Sequence, residues 1–148
     1  LSVQNLDLLF KEHPDKNNRC LKGAYEINIT SHDNKVTIIA SGSEVELALE
    51  TQELLKELGV DSKVVSMPCQ ELFDKQPKEY REKIIEKNSK KISIEASSIF
   101  GWEKYVDSNG ASLGLKSFGK SAPYKSIYEN FNLTSDSVVM IAKKMLGK

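Results

Sequence analysis

The chain has 148 residues, of which 39% are apolar and 28% charged, enough for one domain with a continuous core. Its 21 basic and 21 acidic residues cancel, so no global field draws it to nucleic acid or to an anionic membrane. No apolar run reaches the roughly 20 residues of a membrane span, and the opening stretch lacks the apolar h-region of a signal peptide.

Residues 1–20, "LSVQNLDLLFKEHPDKNNRC", are polar and turn-rich, and are predicted as a linker or arm entering a domain over 21–148. "GAYEINIT" alternates as a strand, and "SHDNK" turns the chain into the β-branched run "KVTIIAS". A helix is expected over residues 43–58, with Leu47, Thr51, Leu54 and Leu58 as its stripe and Ala48 and Leu55 widening it. Ser43 and Glu46 have capping-box spacing, Glu44 and Glu46 suit the positive end of the helix dipole, and Gly59 stands at the C-cap.

"SKVVSMP" is a second buried strand, stopped by Pro68. A short helical turn follows, then a helix beginning near Pro77. "KKISIEAS" is a strand, "GWEKYV" a short helix, and "GASLGLKSFG" holds a short strand between glycines. A helix opens after Pro123, and a last one is capped by Thr134 and stripes Val138, Ile141, Ala142 and Met145 toward the core. Strands separated by helices predict an α/β fold: a three-layer αβα sandwich around a mostly parallel five-stranded sheet. Its one antiparallel edge strand is placed near residues 24–30.

Few residues offer chemistry. The strand-to-helix turn "ASGSEV" invites comparison with a phosphate loop, but it has one glycine and no lysine, so it meets neither dinucleotide nor P-loop pattern. Free amides at the helix start leave Gly42 and Ser43 as a candidate anion site. Glu44 and Glu46 oppose it, and a structural cap is the competing reading. His13 and His32 lie in polar turns, without ligand or triad spacing. Cys20 and Cys69 lack metal spacing and read as free thiols of a cytoplasmic protein. Glu71, Asp74, Lys75, Glu79 and Arg81 read as an exposed, ion-paired face, and Trp102 with Tyr105 as a pair for packing or a subunit contact. No catalytic, cofactor or metal residue is assigned.

"ASGSEVELAL", "VVSMPCQELFDKQPKEYRE", "WEKYVDSNGASLGLKSFGKSAP" and "YENFNLTSDSVV" resemble, in order and spacing, the C-terminal domain of transketolase. "GSEV", "VSMP…FDKQ…YR" and "FGKSAP" are the most specific pieces, and the resemblance covers nearly the whole chain. It implies an enzyme that moves a two-carbon ketol unit from a ketose phosphate to an aldose phosphate in the pentose phosphate pathway. Thiamine diphosphate and Mg²⁺ (or Ca²⁺) would sit on the two preceding domains of a homodimer, which carry the catalytic residues. The partners implied are those domains, the second subunit and sugar phosphates, with neither nucleic acid nor membrane. The family's entry segment reads "LSRQNL", its arginine gripping substrate phosphate; here Val3 occupies that position. The expectation is a fragment that is inactive alone and supports the dimer. Two alternatives are a stand-alone nucleotide- or phosphometabolite-binding module and the equivalent domain of another thiamine enzyme.

Overall fold

β-Branched residues crowd an α-helix but fit a pleated strand, so "VTIIA" and "SKVVS" extend. The computed structural model describes residues 19–29, 34–95, 101–107, 110–114 and 134–148. After a 3₁₀ turn at Arg19–Lys22 come β1 (Tyr25–Ile29), β2 (Val36–Ala40), α1 (Glu44–Glu57), β3 (Ser62–Ser66), α2 (Gln70–Asp74) and α3 (Lys78–Ile84). Then follow β4 (Lys90–Glu95), α4 (Glu103–Val106), β5 (Ala111–Gly114) and α5 (Ser135–Met145).

The five strands form one sheet in the order β1-β3-β2-β4-β5. β1 runs antiparallel to β3, with an irregularity between Glu26 and Asn28. The pairs β2–β3, β2–β4 and β4–β5 are parallel. The antiparallel edge strand therefore lies where the sequence placed it. Ile38, Val64, Ile92 and Leu113 face a core closed by α1 and α5. Ile39 and Val65 face a second core with Phe73 and Ile84 from α2 and α3, and Trp102 and Tyr105 at α4. This is the expected three-layer sandwich.

Several local expectations are corrected. The Ser43–Glu46 capping box does not form: Ser43 has helical angles (φ −68°, ψ −18°) and caps no amide. The chain is already turning at Gly42 (φ +60°), so Ser43 enters the helical region and its hydroxyl donates to Glu44 Oε1 at 2.8 Å. The buried face of α1 is Val45, Ala48, Thr51, Gln52 and Leu55, with Leu47 and Leu54 at its margin and Leu58 52% exposed. Leu58 leaves the stripe because it is already the C-cap. The helix ends there in a Schellman turn, Gly59 N donating to Lys56 O and Val60 N to Leu55 O. Pro77 precedes α3 as its N-cap instead of occupying the first turn.

α5 is capped as expected, and more completely: Thr134 Oγ1 accepts from Ser137 N at 3.1 Å, and Ser137 Oγ accepts from Thr134 N at 2.9 Å. Residues 1–18, with Val3 and His13, lie outside the described residues, as do His32 and the helix expected after Pro123.

Two left-handed glycines separate collision from strain. Gly23 (φ +83°) sits under α2, where an added methyl would collide with the Phe73 amide and the Cys69 carbonyl. Gly59 (φ +77°) has open space around it. Urea denaturation is expected to show Gly23→Ala costing about 3 kcal/mol or more and Gly59→Ala only about 1 kcal/mol. Equal losses would show that Gly23 is constrained by its backbone angle alone.

Candidate functional site

In an open α/β sheet, ligands favour the crevice beyond the carboxyl ends of the strands where strand order reverses. Here β2 is followed by β3 on one side and β4 on the other, so that point lies between the ends of β2 and β4. Gly42 and Ser43 are placed there. The Ser41 hydroxyl spans the crevice to donate to Glu95 Oε2 at 2.7 Å, while that of Ser43 is turned to Glu44. Two carboxylates, those of Glu44 and Glu95, thus flank the turn. The positive φ of Gly42 gives the glycine a backbone reason to be there, and the field opposes an anion.

A different cleft, of about 410 Å³, lies between α3 and α4. Phe73, Ile85 and Tyr105 give it apolar walls, and Arg81, Lys87, Lys91 and Lys104 bring positive charge beside Asp74, Glu82 and Asp107. Its frame is the "FDKQ…YR" stretch. Phe73 meets the Tyr105 ring edge-on at 5.9 Å. Asp74 accepts from Tyr105 Oη at 2.8 Å and from Lys104 Nζ at 2.7 Å. Gln76 Nε2 donates to Leu72 O at 3.0 Å, and Gln76 O accepts from Arg81 Nε at 3.1 Å. Tyr80 Oη donates to Ala24 O at 2.7 Å, pinning α3 to the residue before β1. The charged stretch is therefore more than a solvated face: it braces α2, α3 and α4 together.

Lys91 was not singled out from sequence. It is buried in β4, and its ammonium donates to Lys87 O, Ser89 O and Asp107 Oδ2 at 3.3, 3.1 and 3.0 Å. Lys63, fully buried in β3, similarly donates to Glu26, Glu86 and Lys83 O. The available signal was a lysine within a β-branched strand; the carboxylates that pair with it, Asp107 for Lys91 and Glu26 and Glu86 for Lys63, lie 16 to 37 residues away. Trp102 and Tyr105 pack edge-on at 6.1 Å as expected, and Cys20 and Cys69 are free thiols.

Partial burial raises the Asp74 carboxyl, but hydrogen bonds from Lys104 and Tyr105, with the charges of Lys104 and Arg81, outweigh it and hold the group below its ordinary value. Burial, then the hydrogen bond to Asp74, pushes the Tyr105 phenol up to about 12. The hydrogen bond to Asp74 raises the Lys104 ammonium. Asp74 thus stabilises the fold above the unfolded carboxylate value of about 3.9, and this is lost as pH falls through the lower folded value. The contribution of Tyr105 is present below the unfolded phenol value of about 10 and is lost as pH rises through the folded value.

Among the described residues no three His, Cys, Asp or Glu side chains converge on a metal position. Among the described residues, no helix is long and apolar enough to cross a membrane.

Fold and site together define a mixed α/β domain with an antiparallel edge strand, braced at one corner by the contacts of Asp74 with Lys104 and Tyr105. A family profile described as the transketolase-like C-terminal domain matches residues 23–134. The chain is 39% identical over 149 aligned residues to transketolase of Sinorhizobium medicae, covering 100% of this chain and 21% of that protein. Transketolase from Leishmania mexicana superposes with a TM-score of 0.69 at 38% identity, covering 86% of this chain and 18% of that one. A Pichia stipitis transketolase variant, named as a complex with xylulose 5-phosphate, gives 0.70 at 34% identity, covering 86% and 18%. The chain belongs to the transketolase family and corresponds to its C-terminal domain. It spans about a fifth of the length of these relatives.

The Asp74–Tyr105 bond is open to a direct test. In ¹³C-tyrosine NMR, Tyr105 is expected to titrate at about 12. Asp74→Asn should lower that value, short of the ordinary one because burial remains. The same variant should flatten the acid limb of stability against pH. An unchanged Tyr105 titration would show that the carboxylate does not hold the phenol.

Proposed function

We propose that this chain serves as the C-terminal domain of a transketolase that moves a two-carbon ketol unit from a ketose phosphate to an aldose phosphate. The reading is supported above all by the family match over residues 23–134, together with relatives named transketolase at 39% and 38% identity. A related structure named as a xylulose 5-phosphate complex supports sugar phosphates as substrates. Thiamine diphosphate and Mg²⁺ would be held by other domains of a cytoplasmic homodimer. This chain's part is then to support the assembled enzyme, with no turnover of its own.

The carried-over phosphate position is occupied by Val3. Valine donates nothing to phosphate, and a charge-assisted hydrogen bond contributes about 1.5–3 kcal/mol. Relative to arginine, that corresponds to roughly ten- to hundredfold weaker grip.

The test is a chimera. Residues 1–148 replace the matching segment of Sinorhizobium medicae transketolase, and transfer from xylulose 5-phosphate to ribose 5-phosphate is assayed with thiamine diphosphate and Mg²⁺. The chimera should be active, the isolated chain inactive, and Val3→Arg in the chimera should lower KM for the phosphorylated substrate about tenfold or more. A folded but inactive chimera, or turnover by the isolated chain, would sink the reading. An unchanged KM would remove the role given to position 3.

A further inference from the structure

The cleft between α3 and α4 holds charge that the fold does not consume. Each acidic side chain on its wall is already paired with a lysine: Asp74 accepts from Lys104 at 2.7 Å, Asp107 accepts from Lys91 at 3.0 Å, and Glu82 is ion-paired with Lys87 at 3.4 Å. The Lys91 ammonium, with three protons and three acceptors, is saturated. Arg81 differs. Its Nε is tied to Gln76 O at 3.1 Å, which orients the guanidinium, and among the described residues it joins no ion pair. Its terminal amino groups keep their N–H donors, so the spare hydrogen-bonding capacity of the cleft is donor capacity.

The geometry points to a binding site for a small phosphate monoester in this cleft, its oxygens on the Arg81 fork and its organic part on Phe73, Ile85 and Tyr105. Three observations carry this. A volume of about 410 Å³ suits a small molecule. A guanidinium held by one nitrogen presents the other two as a planar fork, the geometry that grips an oxyanion in a bidentate way. With Lys87, Lys91 and Lys104 offset by Glu82, Asp107 and Asp74, Arg81 leaves the lining with one positive charge in excess, the sign an oxyanion needs. Arg81 also lies close enough to Asp74 to help hold that carboxyl down. The Gly42–Ser43 turn, flanked by Glu44 and Glu95, has the opposite field. This inference stands independently of the enzymatic reading, since it uses only residues of the described domain.

The experiment is a ¹H–¹⁵N NMR titration of the 148-residue chain with phenyl phosphate, and separately with inorganic phosphate. Saturable shifts are expected at the amides of Phe73, Arg81, Lys104 and Tyr105, with inorganic phosphate binding more weakly because it has no organic part. Arg81→Gln should weaken phenyl phosphate about tenfold or more, and Arg81→Lys should fall between the two. If Arg81→Gln unfolds, Lys87→Gln provides the second test and must also weaken binding, whereas Lys148→Gln must not. Four results would overturn the proposal: no saturation, undiminished binding by a folded Arg81→Gln, shifts centred on Gly42 and Ser43, or equal affinity for both probes.

Discussion

Everything in this fold follows from a strand that water never reaches. All five residues of β2 are buried, because β3 and β4 occupy its two edges and helices cover both of its faces. A strand dehydrated on both sides requires two layers of helices, which the short parallel crossovers supply. Ile38 seats α1 and α5 on one face, and Ile39 seats the aromatic corner of Phe73, Trp102 and Tyr105 on the other. The polar exception, Thr37, is buried with its hydroxyl 2.6 Å from that of Ser89, so the group is not orphaned.

The same burial explains the handling of charge. Lys63 and Lys91 project from strands into the aromatic layer, where a lone ammonium would be costly. Each has three acceptors: Lys63 draws on Glu26 of the edge strand and on the end of α3, and Lys91 on the loop before β4 and on Asp107 after α4. Such pairs add little net stability when intact, but breaking one by removing a partner typically costs about 3–5 kcal/mol. Their effect is to hold the loops after α3 and α4 in one position against the sheet. The "FDKQ…YR" stretch works alongside them: its phenylalanine and two tyrosine partners pack, its aspartate and glutamine bond, and its arginine is oriented by a carbonyl.

The two places that could meet an anion are thereby distinguished. The turn after β2 is a joint, shaped by a left-handed glycine and closed by serine hydroxyls on carboxylates. The cleft beside α3 has its acids neutralised internally and an arginine left over. On electrostatic grounds the second location suits an anion better than the first, although the first carries the more suggestive sequence.

Helices, strands and their order were legible in the sequence because those signals are local: β-branched runs, apolar periodicity, Pro68 as a stop, Gly59 as a C-cap and Thr134 as an N-cap. The antiparallel edge could be placed because "YEINI" is less apolar than the runs that end up inside. Local spacing failed at Ser43, since the positive φ of Gly42 shifts where the helix begins, and at Leu58, since the stripe ends where the Schellman turn starts. The cleft could not be read in advance. Asp74 and Tyr105 are 31 residues apart, Lys63 and Glu26 are 37, and no spacing rule links them. Such contacts exist only once the strand order sets which loops become neighbours. The sequence by itself determined what each segment becomes, through interactions between residues a turn or a pleat apart; the tertiary structure alone decided which distant charges meet, and that Arg81 borders the cleft without joining its ion pairs among the described residues.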